Sequence, residues 1–180
     1  MNKRTIENPV IGDRVTFLRT CAETCGACTE VEVLLMPGGG NSDHYHTTFS
    51  KTFEPLEGEL TMNVNGKRQA LKPGESATVG PMLSHCFSNK SNKAIRFRVL
   101  LTPGHSGFED GIRIAYGLAR DGQTNKKGVP KKLSHLAILM NRSDTNMYGL
   151  FSLVVPLLKR IYKKAIDKGI LHDLQEKYCD

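Results

Sequence analysis

Residues 38–59 read Gly-Gly-Gly-Asn-Ser-Asp-His-Tyr-His-Thr-Thr-Phe-Ser-Lys-Thr-Phe-Glu-Pro-Leu-Glu-Gly-Glu. Within them His44 and His46 stand two apart. Alternate side chains of an extended strand share a face, so the spacing predicts that both imidazoles point the same way. Two neutral imidazoles on one face suit Zn, Fe, Ni, Cu or Mn. A lone His-x-His pair is weak by itself. Residues 74–89 strengthen it, because His85 follows a Gly/Pro turn and opens another short β segment. Three of the six histidines in the chain thus lie in two glycine-bounded β stretches. His105, His135 and His172 lie in no comparable setting and are read as core or surface residues.

The sequence around these stretches is rich in strands. Val15 to Thr20 and Thr29 to Leu35 are β-rich and separated by a turn at Cys25-Gly26-Ala27. Glu59 to Val64 alternates and meets Asn65-Gly66, a hairpin signal because both residues tolerate positive φ. Lys67 to Leu71, Ala77 to Val79, His85 to Phe87 and Ile95 to Leu101 follow, punctuated by Pro73-Gly74 and Pro103-Gly104. Many short strands at close spacing predict a sandwich or barrel. The pattern changes near Ser106, where Ser106-Gly107-Phe108-Glu109 fits a capping box. Phe108, Ile112, Ala115, Tyr116 and Ala119 then share a helical face. Further helices are expected at Lys131 to Asn141, at about Thr145 to Lys168 with Pro156 kinking it or opening its second part, and at Leu171 to Tyr178. The expected organisation is a β domain over residues 1–105 and a helical extension over residues 106–180.

Composition narrows the class. Of the 180 residues, 39% are hydrophobic and 24% charged, which excludes a collagen, a coiled coil or a largely disordered chain. No run approaches the roughly 18 apolar residues of a membrane span, and no apolar stretch follows the basic start, so neither a transmembrane segment nor a secretory signal is expected. Five cysteines with no secretion signal argue against a disulfide framework and point to the cytoplasm. The net charge of +7 is uneven, +2 over residues 1–105 and +5 over residues 106–180. No aromatic-interleaved basic run accompanies it, so a solvated helix face is expected rather than a nucleic-acid surface.

The two histidine stretches together resemble the cupin family. Gly38, His44, His46 and Gly58 fall where the first cupin motif places them, and Gly74, His85 and Asn89 where the second does. The 15 residues between them, 59–73, look like the short spacing of small microbial cupins. The chain departs from the family at its glutamate ligand, whose position falls at Ser50 or Lys51 and aligns best with Lys51. It departs again at Gly80 and Met82, where Pro and Gly are usual. The resemblance implies a mainly β fold, a double-stranded β-helix or jelly roll followed by an α-helical extension. It implies a divalent transition metal (Fe, Mn, Zn or Ni) held by His44, His46 and His85. It also implies a small-molecule ligand in the barrel, a dioxygenase or isomerase activity, and a homodimer. The alternative is a metal-free binding or sensor protein in which Lys51 anchors an anion. Lys51, the candidate catalytic residue, has two readings: its ammonium swings out of the barrel mouth to solvent, or it is held inside with a lowered pKa and acts on substrate as base, Schiff-base former or anion anchor. The solvent or anion-anchor role is favoured over covalent chemistry.

Two other signals carry less. Cys21, Cys25 and Cys28 have the spacing of a radical S-adenosylmethionine motif, but the chain is too short and too β-rich for that barrel, so turn packing is expected. Cys86 follows His85 and is expected to face away from it. Leu150 to Leu158 with Lys159, Arg160, Lys163 and Lys164 resembles an amphipathic surface helix, for which packing on the β domain or across a dimer is expected.

Overall fold

A computed structural model describes residues 4–179. Nine strands come first: β1 (Thr5–Asn8), β2 (Asp13–Arg19), β3 (Thr29–Leu35), β4 (Ser50–Glu57), β5 (Leu60–Val64), β6 (Lys67–Leu71), β7 (Ala77–Val79), β8 (His85–Ser88) and β9 (Ile95–Thr102). They form two antiparallel sheets, one in the order β1-β2-β3-β9-β4-β7 and one in the order β6-β5-β8. This is the jelly-roll arrangement expected from the sequence.

Alternation along the strands sets which face is inside. In β3, Thr29, Val31, Val33 and Leu35 are buried, and in β9 Ile95, Phe97, Val99 and Leu101 are buried. Among their outward neighbours, Glu30 and Glu32 of β3 and Arg96 and Arg98 of β9 carry charges that pair across the sheet. Arg98 meets Glu30 at 3.1 Å and Glu54 at 3.2 Å, and Arg96 meets Glu32 at 3.7 Å and also Glu57. Such exposed pairs contribute little stability each, but they hold the register that keeps the apolar row inward. Pro55 stands in β4 without breaking the sheet. The strand β7 pairs only with residues 51–53 of β4, so Pro55 lies beyond its reach.

The turns follow local chemistry. Asn65 (φ 49°) and Gly66 (φ 81°) make the two-residue hairpin between β5 and β6. Gly58 has φ 78°, and a Cβ there would lie 2.6 Å from Ile95 Cγ2, so both conformation and space require glycine. His44 and His46 precede β4 in a loop rather than on a strand. His44 bridges His85 while Tyr45 bridges Asn146, so the two neighbours have different partners and no continuous ladder forms.

The helices are α1 (Ser106–Arg120), α2 (Leu133–Arg142), a 3₁₀ turn (Gly149–Val154), α3 (Val155–Asp167) and α4 (Ile170–Tyr178). The long helix expected from Thr145 is thus shorter, with Pro156 in the first turn of α3, where a missing N–H costs nothing. Helix α1 serves two cores. Phe108 and Tyr116 join the barrel core, while Ile114 and Leu118 join a second core with Ile138, Ala165, Leu174 and Cys179.

The expected capping box does not form. His105, in extended backbone, is the N-cap, and its Nδ1 accepts from the Phe108 N–H at 2.8 Å. The Glu109 carboxylate turns instead toward the barrel. It accepts from the Cys21 N–H and the Thr29 hydroxyl, both at 2.6 Å. Hydrogen bonds to a buried charge are worth more than neutral ones, so Glu109→Ala is expected to lower the unfolding free energy by roughly 1.5–3 kcal/mol. Urea unfolding with an unchanged m-value checks this, and a change below a few tenths contradicts it.

Candidate metal centre

His44 and His85 are brought together by backbone pairing. The His44 N–H donates to the His85 carbonyl at 3.1 Å, and the His85 N–H donates back at 2.8 Å. His46 is carried inward two residues later and is held by the Met82 N–H, which donates to its carbonyl at 2.7 Å. The three ring centroids lie 4.5 to 5.3 Å apart, and one nitrogen from each ring lies within 4.8 Å of the others. His46 and His85 are buried and His44 is half-buried.

The ring nitrogens have divided roles. Nδ1 of His44 meets the Ser42 carbonyl at 2.8 Å, that of His46 the Asp144 carbonyl at 2.9 Å, and that of His85 the Leu83 carbonyl at 3.2 Å. A carbonyl only accepts, so each Nδ1 carries the proton and each Nε2 carries a lone pair. Nε2 of His46 and Nε2 of His85 are buried with no hydrogen-bond partner. An orphaned buried acceptor is costly, and two of them in one histidine cluster are what a metal ion would satisfy. The donors fit a borderline cation such as Zn²⁺ or Fe²⁺. The fit requires closure, since ligands of a tetrahedral ion at 2.0–2.1 Å stand about 3.3 Å apart.

The electrostatics favour neutral rings. Burial, then the Lys51 charge, pushes His44 down to about 3 and His85 to about 4. The same causes hold His46 lower still. The imidazoles therefore stay unprotonated at neutral pH, as metal ligands must.

Of its two readings, Lys51 takes the inward placement and not the solvent-directed one. It is the second residue of β4, on the buried face with Phe53, and pairs with Val79 and Leu101. Its Nζ lies 4.5 Å from the centre of the Phe108 ring and 5.9 Å from that of Phe49. Burial pushes its pKa from 10.5 down to about 7. Phe49 also stacks on His46, with centroids 4.4 Å apart, so the ammonium and the imidazole share an aromatic wall.

Sequence reasoning missed the outer layer. Residues 143–148, after α2, lie against the histidine loop. Tyr45 and Asn146 exchange both backbone hydrogen bonds at 2.9 Å. Tyr148 stacks on Tyr45 at 4.2 Å and its hydroxyl donates to the Met82 carbonyl. Asp144 receives the His46 ring. The only signal was the run Ser143-Asp144-Thr145-Asn146, whose residue types favour turns, nearly a hundred positions from the histidines. Among the described residues, the three histidines are the only group that could hold a metal. Cys21, Cys25 and Cys28 do not converge on such a group.

Comparison with known proteins agrees with this architecture. Residues 31–102 match the family model described as Cupin domain. A predicted oxalate decarboxylase from Thermotoga maritima superposes with TM-score 0.51 at 20% identity, covering 57% of this chain and 98% of that one. An RmlC-like cupin from Shewanella frigidimarina gives TM-score 0.49 at 21% identity, covering 60% and 89%. The cupin domain of an XRE family transcriptional regulator from Enterobacter cloacae gives 0.46 at 22%, covering 51% and 96%. No curated protein matches the sequence.

The buried ammonium makes a pH prediction. The pKa of Lys51 is depressed on folding, so between about 7 and 10.5 the unfolded state binds the extra proton and stability rises with pH. Lys51→Met is therefore expected to be more stable than the wild type at pH 7, by a free energy on the order of a few kcal/mol, and to unfold at higher temperature. The difference should shrink steadily toward pH 10. Thermal melts across that range check it, and a pH-independent difference contradicts it.

Proposed function

We propose that this chain, which carries a cupin domain over residues 31–102, binds one divalent transition metal through His44, His46 and His85. The observation that carries the reading is the pair of buried, unpartnered Nε2 atoms on rings whose Nδ1 protons are tied to carbonyls. When bound, the ion supplies Lewis-acid or oxygen-binding chemistry to a small organic ligand.

The chain's own residues set the ligand class. Three neutral imidazoles bring no negative charge, and Lys51 brings a positive one when protonated. A site built this way favours an anionic ligand such as a small carboxylic acid. Phe49, Phe53 and Phe108 exclude water from the site, which strengthens every charge interaction inside it. In this reading Lys51 is the residue that holds the anion, with the wall of rings lowering its hydration. Its depressed pKa also suits it to take a proton from a bound acid near neutral pH. The proposal extends to a homodimer in the cytoplasm, with residues 1–105 forming the barrel unit and 106–180 its extension. No helix among the described residues is long and apolar enough to cross a membrane.

A second reading rests on Lys51 itself. Its inward direction supports a metal-free pocket in which the ammonium anchors an anion.

Metal analysis of tag-free protein reconstituted with Zn²⁺, Fe²⁺, Mn²⁺ or Ni²⁺ separates the two. The metal reading expects close to one ion per chain. It expects His85→Ala to weaken binding by more than the roughly 10–100-fold typical of an outer partner. It expects Lys51→Glu to tighten binding, because a carboxylate then stands where the ammonium stood. Protein that stays metal-free with all four ions, while binding small carboxylates in a manner abolished by Lys51→Glu, would establish the second reading instead.

A further inference from the structure

Asp144 occupies an unusual place. It follows α2, has φ 48°, and belongs to the helical extension rather than to the barrel. Asp and Asn tolerate that backbone region better than most residues. Its carboxylate accepts four donors from two consecutive barrel residues. The Thr47 N–H lies at 2.6 Å, the Thr47 hydroxyl at 2.9 Å, and the Thr48 N–H and hydroxyl both at 2.8 Å. Its backbone carbonyl meanwhile accepts the Nδ1 proton of His46 at 2.9 Å. One residue thus grips the ring of His46 and the two positions that follow it. Asn146 Nδ2 adds a donor to the same carboxylate at 3.1 Å. Burial opposes the charge, but the donors from Thr47 and Thr48 outweigh it and hold the carboxyl below its ordinary range.

The centre is short of negative charge. A divalent ion on three neutral imidazoles, with Lys51 nearby, has no direct anionic partner from the chain. The atom behind the His46 ring is the Asp144 backbone carbonyl, a partner of the kind that fixes the ring orientation of a metal ligand, and the carboxylate anchors that carbonyl through Thr47 and Thr48.

We infer that Asp144 positions a ligand of the metal centre: its carboxylate fastens the turn after α2 to Thr47 and Thr48, so that its backbone carbonyl holds Nδ1 of His46 and Nε2 faces His44 and His85. The inference rests on the metal reading of the three histidines. It makes the helical extension part of the site, since residues 143–148 carry the grip on His46. A purely structural clamp would need the Thr47 and Thr48 contacts but not the ring. Asp144 is therefore a positioning residue, acting through His46.

Two variants separate charge from shape. Asp144→Asn keeps the tolerance of positive φ and the size of the side chain while removing the charge. Asp144→Gly keeps the backbone conformation and removes the side chain. Titration with Co²⁺, read by the visible d–d absorption, measures affinity and ligand geometry without any activity assay. Near-UV circular dichroism confirms that each variant is folded. Affinity is expected to fall roughly 10–100-fold in Asp144→Gly, with a shifted d–d spectrum, and about tenfold in Asp144→Asn. Imidazole ¹⁵N spectra of the metal-free protein provide a second readout. His46 is expected to be a single Nδ1–H tautomer in the wild type and a mixture in Asp144→Gly. Wild-type affinity and spectrum in both variants would overturn the assignment. So would an unchanged His46 tautomer in Asp144→Gly, even if the wild type took up no cobalt. Failure of the wild type to bind cobalt or any other divalent ion would by contrast count against the metal reading itself.

Discussion

The gathering of three uncharged imidazoles, two buried and one half-buried, around one point is the constraint on which the rest of the structure depends. The two nitrogens of His46 and of His85 must be satisfied inside the protein. The backbone carbonyls of Ser42, Asp144 and Leu83 satisfy one nitrogen of each of the three rings. That choice leaves the other three as lone-pair donors facing a common space. The barrel supplies the burial, through the alternating inward rows of β3, β4 and β9 and the aromatic wall of Phe49, Phe53 and Phe108. The histidine loop supplies convergence, because His44 pairs with His85 by backbone hydrogen bonds while His46 turns in beneath the segment from the helical extension. Take away any one of these and the rings gain water or lose their common focus.

Charge is distributed around that centre in an unequal way. A positive group, Lys51, stands inside the barrel against aromatic rings, and a negative group, Asp144, stands outside the ring of His46. The two share neither strand nor loop, and they act on the imidazoles from opposite directions in electrostatic terms. Lys51 makes protonation of the rings harder, whereas the Asp144 backbone carbonyl accepts the Nδ1 proton of His46 and its carboxylate is held by Thr47 and Thr48. An anionic ligand entering the barrel would find its counter-charge already in place and poorly hydrated.

Most of the barrel was legible in the sequence because its signals are local. The hairpin at Asn65-Gly66, the alternation of Ile95 to Leu101 and the histidine spacings each follow from a few neighbouring residues. The direction of Lys51 was also present, since Lys51, Phe53 and Pro55 share parity on β4, but the charge on the side chain argued for solvent. The aromatic wall that accommodates it comes partly from α1, through Phe108, and no sequence rule places that helix over the barrel. The capping role of His105 was hidden for a similar reason, because Glu109 is claimed by Cys21 and Thr29 eighty or more positions away. Asp144 was the least legible. Its significance arises only when the turn after α2 meets the histidine loop, 98 residues earlier in the chain than the carbonyl that holds His46.

X-ray absorption at the metal edge, on protein reconstituted with Zn²⁺, tests the central claim most directly because it reads the atoms around the ion. The account predicts three imidazole nitrogens at about 2.0–2.1 Å, with their multiple-scattering pattern, together with light-atom oxygen or nitrogen neighbours. Sulfur at about 2.3 Å would place the ion on the cysteines instead. A shell of oxygens with no imidazole scattering would contradict the convergence of His44, His46 and His85 on one metal.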